Sequence, residues 1–167
     1  MMNNKKRNFL HKYTPVFLLF TSILNETDFN LEFKYFSFNF AYILIFYFSL
    51  KREGSIGYIL IFIAGLFNDV INGLPMGISS LSYLLLGAAA AYLRNITLRP
   101  NLIKDWISFL ITILILNFIT YTYLILFFGY EINYLDQSIN ILGTFFLYYI
   151  FSYIFKFYSN FLLGSSN

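Results

Sequence analysis

Few side chains in this 167-residue chain could do chemistry, and Asp69 is the most informative of them. It stands inside an apolar run, Gly65-Leu66-Phe67-Asn68-Asp69-Val70-Ile71-Asn72-Gly73-Leu74-Pro75-Met76-Gly77, in which Gly65, Asp69, Gly73 and Gly77 fall four residues apart. An acid in such a run has two readings. It can hydrogen-bond nearby backbone or cap a broken helix. It can instead line an outward-facing polar cavity or touch a partner helix. Catalysis needs company that the sequence does not supply. No second Asp or His is spaced with Asp69 to hold a metal, and no Gly-Lys-Ser/Thr loop cradles phosphate. The single histidine, His11, lies among basic residues and reads as interfacial, so no serine has a buried His and acid beside it. The absence of cysteine excludes disulfides, thiolate metal sites and a thiol nucleophile. The expectation is a protein that is not an enzyme, with no catalytic residue, metal or cofactor.

The elements that must hold these residues are set by composition. The chain is 59% hydrophobic and 11% charged, with mean hydropathy +0.66. Soluble domains carry about 25% charged residues. So little charge cannot cover a water-exposed surface, which predicts an all-α, polytopic membrane bundle forming one domain over residues 1–167. The expected spans are 9–24, 35–50, 55–71, 74–93, 107–129 and 138–163. No small-residue cleavage site follows the first run, so it reads as an uncleaved span. The second and third are joined by a tight turn, Lys51-Arg52-Glu53-Gly54.

Charge then orients the six spans. With the N-terminus inside, the cytoplasmic segments hold Lys5, Lys6, Arg7, Lys12, Lys51, Arg52, Arg94, Arg99, Lys104 and Lys156. The other side holds Lys34 with Glu26, Asp28, Glu32, Glu131 and Asp136. The positive-inside rule therefore predicts both termini in the cytoplasm. The net charge of +3 reports topology rather than nucleic-acid binding.

On this plan the third span ends at Ile71, which puts Asp69 near the outer interface and favours its structural reading. Gly73 ends that helix in a left-handed conformation, and Pro75 opens the fourth helix in its first turn. Gly65 and Gly77 let backbones approach closely. The fourth span adds Ser79, Ser80, Ser82, Gly87 and Ala91, all small, and is expected to be the most enclosed helix. Gly87–Ala91 is a candidate docking surface. Asn39, Asn117 and Thr120 are expected to hydrogen-bond between helices. Trp106 reads as an interface anchor, and Tyr121 and Tyr123 as lipid-facing or packing residues.

The run from Gly65 to Gly77 resembles the signature of the MreD family, rod shape-determining membrane proteins of bacteria. The match rests on Gly65, Leu66, Asp69, Gly73 and Gly77, with Met76 where the family often has Leu. Ser79-Ser80-Leu81-Ser82-Tyr83-Leu84-Leu85-Leu86-Gly87 fits the small, Ser- and Leu-rich span that comes next in the family. The hairpin from Tyr42 to Gly57, with its basic turn, fits the segment on the N-terminal side. The resemblance covers residues 35–95 and implies a non-enzymatic component of the cell-elongation complex in the bacterial inner membrane. It implies MreC as partner and, through it, the MreB cytoskeleton, RodA and the elongation transpeptidase of peptidoglycan synthesis. Basic loops around Lys51-Arg52 and Arg94–Lys104 would face anionic lipid or the cytoskeleton. The family is similar in fold to substrate-binding subunits of energy-coupling-factor vitamin transporters, which is the alternative expectation.

Overall fold

Asparagine caps, more than the ends of the apolar runs, set where three of the helices begin. The computed structural model describes residues 4–25, 37–51, 56–97, 101–131 and 133–164, with backbone alone for 4–12 and 160–164. The side chains of Lys5, Lys6, Arg7, His11 and Lys12, and all of Glu26, Asp28, Glu32, Lys34, Arg52, Glu53, Gly54 and Arg99, lie outside the described residues. Among the described residues, six helices run α1 Asn4–Asn25, α2 Phe40–Lys51, α3 Tyr58–Asn72, α4 Ile78–Ile96, α5 Leu102–Phe128 and α6 Tyr134–Gly164, one for each apolar segment. No strand occurs among the described residues.

The start of α2 is capped by Asn39, whose Oδ1 accepts from the Tyr42 N–H at 3.0 Å. Asn101 does the same for α5, accepting from Ile103 N–H at 3.1 Å, so this helix begins before Ile107 and takes Asp105 into its first turn. Asn133 caps α6 through Leu135 N–H at 3.1 Å. Short polar side chains at these positions satisfy amides that the first turn leaves unpaired.

The outer helices neighbour one another in the circuit α1–α3–α4–α5–α6–α1, and α2 packs against α1, α4 and α6 within it. Every residue from Ala41 to Leu50 is buried. This corrects the expectation that the fourth span is the most enclosed, since α4 leaves Leu81, Leu85 and Tyr92 exposed. The reason lies in the side chains. α2 is apolar on every face and suits all-round burial. The small residues of α4 let α3 and α2 approach it closely on one side, and its larger apolar residues are left on the outside.

Aromatic packing ties α2 to α5 and α6. The rings of Phe46 and Phe109 lie 5.0 Å apart, and Phe109 stacks on Tyr148 at 4.2 Å. Trp106 is not a free anchor: its Nε1 donates to Phe145 O at 2.8 Å and its ring stacks on Phe145 at 4.4 Å. Of the three in-span polar residues, Thr120 bonds across to Ser82 Oγ at 2.8 Å and the Asn39 amide donates across to Thr144 Oγ1 at 2.8 Å, while the Asn39 side chain caps its own helix and Asn117 donates back to Ile113 O.

Among the described residues, Leu102–Phe128 and Tyr134–Ser159 are long and apolar enough to cross a membrane. Their outer faces expose Phe118, Leu126, Phe127, Phe146 and Tyr153. The central helix is much shorter, 12 residues or about 18 Å.

This arrangement separates two phenylalanines by consequence. Phe46 is 0% exposed and Phe118 is 73% exposed. Phe46→Ala should destabilise the purified protein by about 3–5 kcal/mol, while Phe118→Ala leaves the thermal unfolding midpoint near that of the parent. Equal losses would count against α2 as the centre of the bundle.

Candidate functional site

The α3–α4 joint is built around one carboxylate. α3 ends at Gly73, which is left-handed at φ 62° and whose N–H returns to the Asp69 carbonyl. The Leu74 N–H reaches the same carbonyl at 2.9 Å. The next helix then starts at Ile78 with Gly77 as its N-cap, at φ 100°. Glycine has no side chain with which to cap. Asp69 supplies the missing acceptor from the neighbouring helix: Oδ2 accepts from Gly77 N–H at 2.7 Å and Oδ1 from Ser79 N–H at 2.9 Å. Asp69 is fully buried at 0% exposure. The negative carboxylate also faces the positive end of the α4 dipole, and both bonds are of the charge-assisted kind.

Polar neighbours close the joint. Asn68 Nδ2 donates to Ser79 Oγ at 2.9 Å, and Asn72 Nδ2 donates to the carbonyl and Oδ1 of Asn68, each at 3.1 Å. Tyr130, just past α5, donates its hydroxyl to Gly73 O at 3.2 Å. Further along the seam, Ser80 Oγ donates to Phe62 O at 2.9 Å. There the helices touch backbone to backbone, because a Cβ on Gly65 would fall 2.3 Å from Ser80 Cα. Deeper in the same seam, a Cβ on Gly87 would meet Ile61 Cδ1 at 3.3 Å.

The sequence-derived site residues thus divide. Gly73 ends α3 left-handed, and Gly65 permits close approach, both as expected. Gly77 is corrected: a Cβ there would meet nothing within 4 Å, so its glycine serves the positive φ and not close packing. Pro75 is also corrected. It lies in the turn before the N-cap, where its carbonyl accepts from Ile78 N–H at 3.4 Å, instead of inside the first turn of α4. Gly87 belongs to the buried seam with Ala90, whereas Ala91 is half-buried.

A second polar cluster lies outside the sequence expectation. Lys51, in the last turn of α2, forms an ion pair with Asp105 in the first turn of α5. Arg94 Nη1 donates to Ser49 O at 3.0 Å, at the same end of α2. Two basic residues assigned to lipid or cytoskeleton therefore point inward, because the carbonyl end of α2 and a nearby carboxylate attract them. The only signal for this in the chain is faint, an acid at the start of one apolar segment and a lysine at the end of another.

Chemically, the joint holds a carboxylate with both oxygens engaged by backbone amides. Among the described residues, no group of three or more His, Cys, Asp and Glu side chains is placed to hold a metal ion. No protein-family model, curated protein or solved structure matches this chain.

The cap makes a graded prediction. Asp69→Ala leaves the Gly77 and Ser79 amides without their acceptors in a buried site, at about 1–3 kcal/mol for each group so stranded. Asp69→Asn keeps one acceptor oxygen and should lose less. Denaturation of the purified variants gives the order, and an Asp69→Asn loss equal to that of Asp69→Ala would count against the capping role.

Proposed function

We propose that this chain is a six-span membrane protein of the MreD type, with both termini in the cytoplasm of a bacterium. In this reading it is a non-enzymatic scaffold of the cell-elongation complex that binds MreC and so joins MreB to RodA and the elongation transpeptidase. The observation that carries the reading is the joint itself. Gly65, Asp69, Gly73 and Gly77, the residues of the resemblance, act together in one rigid helix–turn–helix. Asp69 is spent on a helix cap and leaves no acceptor oxygen without a partner. The joint therefore favours a scaffold over a reaction centre. Exposed apolar side chains along α3, α4, α5 and α6 suit lipid contact, with no polar covering of the kind water demands. Helix alternation gathers Lys51, Arg94, Lys104 and Lys156 at one end and Glu131 and Asp136 at the other, in keeping with the positive-inside rule.

Topology is tested by single cysteines, which need no prior cysteine removal because the chain has none. In intact spheroplasts, a membrane-impermeant maleimide should label Glu131→Cys and leave Lys104→Cys unlabelled until the membrane is opened. The reverse pattern sinks the orientation. For the partner, Gly73→Leu and Gly77→Leu impose side chains on left-handed backbone and should reduce co-purification of MreC several-fold. Undiminished capture by both variants, or depleted cells that keep their rod shape, would overturn the reading. Reproducible thermal stabilisation by one vitamin would redirect it to a transporter subunit.

A further inference from the structure

A polar layer crosses the interior of the bundle one turn in from its basic end. Phe109 of α5 stacks on Tyr148 of α6, and Phe46 of α2 meets Tyr148 edge-on at 5.7 Å. One turn from Phe109 is Asp105, and one turn from Tyr148 is Ser152. α5 and α6 are consecutive, packed against each other and joined by a short turn, so both steps lead toward the same end. Asp105 is paired with Lys51 of α2. Three helices thus bring an ion pair and two hydroxyls to one level.

The two hydroxyls are the anomaly. Tyr148 and Ser152 are 1% and 2% exposed, and neither Oη nor Oγ has a hydrogen-bond partner among protein atoms. They lie four residues apart on α6, neighbours on one face of the helix. A buried hydroxyl without a partner is costly, and internal polar groups of this kind are bridged by water. The charge balance selects the ligand class. Lys51 neutralises Asp105, so the layer offers no net charge to an ion, and the rings of Phe46 and Phe109 flank Tyr148. A molecule held there must be small, neutral and able both to donate and to accept.

We infer that one buried water molecule occupies this layer and bridges the hydroxyls of Tyr148 and Ser152 to the carboxylate of Asp105. The water completes a clasp in which α6, otherwise joined to α2 by apolar contacts at this level, gains a polar link to the α2–α5 ion pair. The inference is independent of the cell-elongation reading.

The test uses the full-length protein in lipid nanodiscs and its thermal unfolding midpoint. Tyr148→Phe and Ser152→Ala should each lower the midpoint by roughly 2–4 °C. The double variant should be no worse than the more damaging single, because either change already releases the water. Tyr148→Phe should likewise be non-additive with Asp105→Asn. A midpoint raised by Tyr148→Phe would overturn the inference, since it would mean that an orphan hydroxyl had been removed. Additive effects would overturn it too. So would coupling between Tyr148 and Ser152 with none to Asp105, the signature of a direct hydroxyl pair. Should a variant not fold, a structure of the parent protein that resolves ordered water decides: density between the three oxygens is expected, and a dry layer overturns the site.

Discussion

A helix that begins without a capping side chain presents amides that its own N-cap residue cannot satisfy. α4 begins in that way, with Gly77 as its N-cap and no side chain to offer. The carboxylate of Asp69, arriving from α3, supplies both missing acceptors. Much of the fold depends on that bond pair. α3 and α4 must be antiparallel neighbours at close range. The turn between them must be short, which calls for left-handed glycine at both ends, and the seam below must be thin enough for Gly65 to lie against Ser80.

The same device recurs at other helix ends. Arg94 of α4 donates to the last turn of α2 at Ser49 O, and the Asn39 amide at the start of α2 donates to Thr144 Oγ1 of α6 at 2.8 Å. Tyr130 reaches the Gly73 carbonyl at the end of α3. Each short helix is thereby tied at an end to another helix. Between these ties the packing is aromatic and aliphatic, and it places α2, apolar all round, where every side chain from Ala41 to Leu50 is covered.

The site is partly visible in the chain. Gly73 with Leu74-Pro75 after it announces a helix end because few other residues adopt a positive φ at little cost, and Gly65 within an apolar run announces close packing. The pairing of Lys51 with Asp105 is hidden, since 54 residues separate them and each has an adequate local explanation at a helix end. Trp106 misleads for the same reason: beside Lys104 and Asp105 it has the neighbours of an interface anchor, yet its indole N–H is taken up by α6.

The helical class, the number of helices and their approximate limits are all written locally in the chain. Apolar run length, Asn caps and glycine stops act within a few residues and leave their mark there. Asp69 and the turn around it stand out for the same reason. Packing between helices settles the rest: that α2 and not α4 is central, that Gly77 answers to backbone conformation and not to close approach, and that the Asp69 carboxylate belongs to the helix after its own. Those outcomes depend on which faces meet, and a helix carries the same pattern of faces whatever neighbour it finds.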